Sequence, residues 1–94
     1  MQFLVIAYDG SDAAAPARRL AAREAHLAGA RQRKAQGRTV AGGAILNDNG
    51  EMIGSAAIVE YPSRAELDAW LASDPYVTGG VWVDIQVQPF RQAV

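Results

Sequence analysis

Apolar and polar positions divide the chain into strand-like and helix-like stretches. Phe3–Tyr8 is an unbroken run of aromatic, β-branched and aliphatic residues and reads as a strand. Both of its parities are apolar, Phe3, Val5 and Ala7 on one side and Leu4 and Ile6 on the other, so both faces of its sheet are expected to be covered. Ala13–Gln36 is rich in Ala, Arg, Leu and Gln, which favour helix. Pro16 fits only the first turn of that helix. Asp12, in the turn Asp9-Gly10-Ser11-Asp12, is placed to cap it. The expected buried stripe is Ala17, Leu20, Ala21, Leu27 and Ala28. Gly37 is the expected stop, with Arg33 and Lys34 complementing the negative helix end.

Thr39–Leu46 and Glu51–Tyr61 read as two strands joined by Asn47-Asp48-Asn49-Gly50, whose Asn and Gly residues suit the positive φ of a tight hairpin. Pro62 and Ser63 open a second helix, with Ser63 and Glu66 as a capping box and Leu67, Trp70 and Leu71 on its buried face. That helix is expected to end at Asp74, because the residue before Pro75 is driven out of the α region. Val81–Val87 is the last strand. The order strand, helix, strand, strand, helix, strand predicts an α+β, ferredoxin-like βαββαβ domain spanning residues 1–94, with a four-stranded antiparallel sheet. Two helices cover one sheet face only, so the apolar second face predicts a homodimer.

Composition narrows the functional classes. The chain has no cysteine, which excludes disulfides, thiolate metal sites and a cysteine nucleophile. Met1–Tyr8 lacks the basic leader and the length of a secretion signal. No stretch approaches the roughly 20 apolar residues of a membrane span. A cytoplasmic protein without a membrane partner is expected. The net charge of −1 gives no bias toward nucleic acid. Cations nevertheless crowd one stretch, from Arg18 and Arg19 through Arg23, Arg31, Arg33 and Lys34 to Arg38. This is either a solvated helix face or a local field that draws in an anionic ligand.

His26 is the only histidine, so no histidine cluster can form, and no metal-ligand motif accompanies it. Relative to the Leu20/Leu27 stripe, Arg23 and His26 lie roughly 60–120° round the helix at 100° per residue, on one shared edge. An imidazole at such a margin, with an ordinary pKa of about 6.5, suits proton transfer near neutrality. A lone helix histidine is also commonly a packed, hydrogen-bonded structural residue. Asp74-Pro75-Tyr76 has two readings as well. Asp74 caps a short turn begun by Pro75, or it orients the histidine as the acid does in a catalytic triad. Gly42-Gly43 implies a bulge or a close approach within its strand, and Gly54-Ser55 poses the same question next door, with Ser55 offering a hydroxyl. Neither a phosphate-binding loop nor a dinucleotide fingerprint occurs. Trp70 is expected in the core, and Trp82 at either a pocket or the dimer interface.

Taken together, Arg23-x-x-His26-Leu27, Gly42-Gly43, Asp48-x-Gly50-x-x-x-Gly54-Ser55, Asp74-Pro75-Tyr76 and a Val-rich last strand before Pro89-Phe90 resemble the YciI-like (YCII-related) proteins over nearly the whole chain. The resemblance implies a ferredoxin-like dimer of the dimeric α+β barrel type, with an active site round the positions matched by His26 and Asp74. One activity associated with the family is dehydrochlorination of a chlorinated hydroxyhydroquinone, while related dimeric barrels include cofactor-free monooxygenases and lactone isomerases. The expected reading is a small cofactor-independent enzyme, lyase-like or isomerase-like. His26 and Asp74 would do acid–base chemistry on a cyclic or aromatic, anionic metabolite. Arg23, Gly43, Ser55 and Tyr76 would bind that substrate, with no metal and no cofactor. The alternative is a dimeric module that binds or senses a small anion without turning it over.

Overall fold

In a computed structural model, which describes all of residues 1–94, the N-terminal apolar run forms the strand β1 (Gln2–Asp9). It is followed by α1 (Ala15–Ala35), β2 (Thr39–Leu46), β3 (Met52–Glu60), α2 (Arg64–Ser73), the one-turn helix α3 (Pro75–Thr78) and β4 (Trp82–Phe90). The strands form one antiparallel sheet in the order β2-β3-β1-β4, which is the ferredoxin-like arrangement. β1 lies in the middle because its two apolar faces both need cover. Phe3, Val5 and Ala7 pack toward the helices, where Val59, Leu67, Leu71, Tyr76 and Val81 complete the core. Leu4, Ile6, Ala56 and Ile58 point the other way and remain half-buried.

The hairpin between β2 and β3 closes as its sequence requires. Asn47 Oδ1 accepts from the Asn49 and Glu51 N–H groups, and Gly50 takes a φ of 79°. At Gly54 a Cβ would meet the Ala7 carbonyl oxygen at 2.5 Å, so β1 and β3 reach their pairing distance only without a side chain there. The Gly42-Gly43 pair does not mark a bulge. The register shift in β2 falls between Thr39 and Ala41, one step before it.

Several local expectations are corrected. β4 runs on to Phe90, past Val87, because Gln2 and Leu4 still pair with Phe90 and Gln88. α1 begins at Ala15 behind Ala14, with no side-chain cap. Asp12 instead grips Arg18 through two hydrogen bonds of 2.8 and 2.6 Å. Only one arm of the capping box at α2 forms, the Glu66 N–H donating to Ser63 Oγ at 3.2 Å.

The largest correction is the rotation of α1. Ala17, Leu20, Ala21 and Ala28 are exposed, Leu20 by 72%, and Leu27 is only half-buried. The face turned to the sheet is Ala15, Arg19, Ala22, His26, Gly29 and Arg33, a run at spacings of three and four. Small residues let the helix approach α3 closely, Ala22 Cβ lying 3.6 Å from where a Gly79 Cβ would stand, and between them stand Arg19, His26 and Arg33. The helix therefore presents polar groups inward.

Candidate functional site

Each inward polar group of α1 meets a partner fixed by the sheet or by α3. Asp74 closes α2 with extended backbone and caps α3, its Oδ1 accepting from the Tyr76 N–H at 2.9 Å. The same oxygen lies 2.7 Å from His26 Nδ1. Asp74 Oδ2 accepts from Trp70 Nε1 at 3.1 Å and from Arg33 at 3.2 Å. The Asp74 side chain is wholly buried. Burial alone would push its carboxyl up, but the hydrogen bonds from His26 and the Tyr76 N–H, with the charges of His26 and Arg33, outweigh it. The carboxyl therefore titrates below its ordinary range. As a carboxylate it only accepts, so the proton between Asp74 and His26 sits on Nδ1.

That assignment leaves Nε2 as the free nitrogen of His26. It makes no hydrogen bond within the chain, and His26 lines a cavity of about 590 Å³ between α1 and the sheet. The imidazole is held in place by stacking on Tyr76, with ring centroids 3.8 Å apart and planes 11° apart, and by the edge of Trp82 at 5.5 Å. Burial raises the Tyr76 hydroxyl above its usual value despite the nearby Arg19 and Arg23.

One helical turn pair toward the N-terminus, Arg19 forms a second buried cluster. Its Nη1 donates to both Asp9 oxygens at 3.0 Å, with both side chains at least nine-tenths buried. Its Nη2 donates to Ser55 Oγ at 3.1 Å, which also accepts from Trp82 Nε1 at 3.2 Å. Trp82 reaches this place through a bulge. Beyond Tyr8↔Asp84 the β1–β4 register slips, so Asp9 faces Trp82 rather than Val83. Trp82 turns inward and Val83 is left 65% exposed.

Of the residues singled out in the sequence, His26, Ser55 and Tyr76 come together at the cavity wall, with Asp74 directly behind His26. Arg23 also lines the cavity but is exposed and makes no hydrogen bond within the chain. Gly43 borders the cavity through its backbone, and a Cβ there would meet nothing within 4 Å. Sequence reasoning missed Arg19, Asp9 and Arg33. Trp70, expected in the core, packs half-buried against it, and its indole also bonds Asp74, stacks on Tyr61 and lies under the Arg33 guanidinium at 4.6 Å. The available signal was the seven-residue spacing of Arg19, His26 and Arg33. No further carboxylate joins His26 and Asp74 to complete a metal-ligand set.

The YCII-related domain profile matches residues 1–91. The chain belongs to this family. Among YCII-related proteins it is 34% identical to Protein YciI of Escherichia coli, over 98% of each chain. It is 37% identical to an uncharacterised Haemophilus influenzae protein, over 80% of this chain and 83% of that one. Among solved structures it is similar to 5-chloro-2-hydroxyhydroquinone dehydrochlorinase from Burkholderia phenoliruptrix, in complex with 2,5-dihydroxybenzoquinone. The TM-score is 0.85 at 26% identity, covering 99% of this chain and 96% of that one. No helix in this YCII-related chain is long and apolar enough to cross a membrane.

Proposed function

We propose that this protein is a cofactor-independent enzyme in which His26 and Asp74 carry out acid–base chemistry on a small, planar, oxygenated ring compound that binds as an anion. One observation carries the reading: Nδ1 of His26 is fixed by a fully buried carboxylate, while Nε2 is left without a partner at the wall of an open cavity. A neutral imidazole so tethered accepts a proton at Nε2, and Asp74 stabilises the imidazolium that results. The cavity falls in the size range of small-molecule sites and has room for a ring compound. Its lining includes Arg19, Arg23, Arg31, Arg33 and Lys34 and no Asp or Glu, a field that favours an anionic ligand. Arg23, Gly43, Ser55 and Tyr76 are the substrate-binding residues in this reading.

The similar dehydrochlorinase acts on a hydroxylated, chlorinated ring, and the same chemistry fits here. His26 Nε2 would take one hydroxyl proton and deliver it to the chlorine-bearing carbon, giving a keto tautomer, after which loss of the second hydroxyl proton to Nε2 lets the ring electrons expel chloride with the C–Cl electron pair. The net change is loss of HCl, with the hydroquinone becoming a quinone and no outside oxidant. The far sheet face, with Leu4, Ile6 and Ile58, is the proposed dimer surface.

The test is a panel of hydroxylated and chlorinated hydroquinones, followed by chloride release and ultraviolet absorbance. Wild type should turn over at least one of them, and His26→Ala should abolish turnover while leaving the circular dichroism spectrum unchanged. The density of cations at the cavity favours one other reading, a small-anion binding module. In that case the same compounds would bind, and His26→Ala would change neither their affinity nor their fate.

A further inference from the structure

Ser55 stands on β3 opposite Ala7, at the cavity wall, and its oxygen is engaged twice, by Arg19 Nη2 at 3.1 Å and by Trp82 Nε1 at 3.2 Å. A serine hydroxyl has two acceptor lone pairs and one O–H donor, whereas guanidinium and indole N–H groups can only donate. With both lone pairs filled, the capacity left to Ser55 is its own proton, and no acceptor in the chain takes it. Nor can Arg19 swing away to release the oxygen. It is pinned by both Asp9 oxygens, its guanidinium lies 4.8 Å from the centre of the Tyr76 ring, and its side chain is 6% exposed.

We infer that Ser55 is a one-way hydrogen-bond donor to the ligand, so that this end of the cavity selects a ring presenting an acceptor oxygen, a carbonyl or enolate, over one presenting only donors. The inference rests on the cavity being the small-molecule site proposed above and adds a direction to it. The Trp82 indole separates the two ends: its N–H holds Ser55 and its edge meets His26. A planar ring laid across that indole has the proton acceptor Nε2 at one end and the Ser55 O–H at the other. When His26 removes a proton, negative charge moves onto the ring oxygens. A donor already aimed there, on an oxygen polarised by the Arg19 cation, stabilises that charge without reorganising. Arg19, Asp9 and Trp82 act through Ser55 and are positioning residues.

Neutron diffraction from deuterated, ligand-free crystals tests the direction of the hydroxyl without any variant. The Arg19 and Trp82 deuterons should point at Ser55 Oγ, and the Ser55 deuteron should point into the cavity. A Ser55 deuteron directed at Asp9 or at a main-chain carbonyl overturns the inference, whatever ligand the site takes. With 2,5-dihydroxybenzoquinone as the probe, Ser55→Ala should weaken binding by about tenfold or more, the usual scale for a hydrogen bond to a charged group. It should also abolish the downshift of the carbonyl stretch seen in infrared spectra on binding to wild type. Equal affinity and an equal downshift in Ser55→Ala overturn the inference. If the deuteron lies in the cavity but wild type does not bind the probe, the donor direction is upheld and the proposed substrate class falls.

Discussion

The Asp74 carboxylate accepts at both oxygens, from His26 and the Tyr76 N–H at one and from Trp70 and Arg33 at the other. Removing it strands Arg33, whose side chain is only 15% exposed, and frees the cap of α3. Asp74→Ala is therefore expected to cost about 3–5 kcal/mol, the scale for breaking a buried ion pair on one side, read from urea unfolding. The pH dependence follows from the lowered Asp74 pKa. In the unfolded chain the carboxyl takes up its proton near its ordinary value, about 3.9, while in the folded chain it resists until lower pH. The stabilisation is therefore fully present above about pH 4 and is lost as pH falls through the folded value. The melting temperature of wild type should drop below about pH 4, and that of Asp74→Asn should fall less over the same range. Asp12, held at about 2 by the hydrogen bond and charge of Arg18, is exposed, so Asp12→Asn should leave the curve close to that of wild type.

The helix α1 is where sequence and structure part company. The succession of strands and helices along the chain, the Asn47–Gly50 hairpin and the Asp74 cap were legible, because each rests on residues adjacent in sequence. The inward face of α1 was not. Arg19 is buried and Arg33 half-buried against carboxylates 10 and 41 positions away, and a periodicity read from apolar residues places such side chains in water. His26 was found because it is a single histidine. Its pairing with Asp74 was one of two readings of Asp74-Pro75-Tyr76 until the family resemblance favoured the pair, since nothing local joins positions 48 apart. The observed rotation makes a paired prediction by thermal melting. Leu20→Gln, on the exposed face, should change stability by no more than about 0.5 kcal/mol. Ala22→Leu faces α3, where its Cβ lies 3.6 Å from the place a Gly79 Cβ would occupy, and overpacking should cost about 1–3 kcal/mol. The rotation originally expected from the apolar stripe predicts the reverse order.

For the molecule as a whole, the helices cover one face of the sheet and leave Leu4, Ile6, Ala56 and Ile58 half-buried on the other. A contiguous apolar surface in the middle of a sheet is costly to leave in water. A second copy of the chain is the occupant that every molecule in the preparation can supply. Light scattering at micromolar concentration should give twice the chain mass. Ile6→Lys, a charge at the centre of that face opposite Ala56 and Gln86, should halve it without altering the circular dichroism spectrum. A wild-type monomer would remove the proposed dimer.

The shared duties of Asp74 also bear on how sequences of this kind drift. The residue ends one helix, starts the next and neutralises the half-buried Arg33, so a lineage without the proposed reaction would still be selected to keep it. His26 has a narrower structural duty: it stacks beside Tyr76 and Trp82 and donates one hydrogen bond to Asp74, which another flat N–H donor could also supply. If the proposed function holds, an aspartate at position 74 records that a chain folds this way, whereas a histidine at position 26 records that the chain still has a use for a proton.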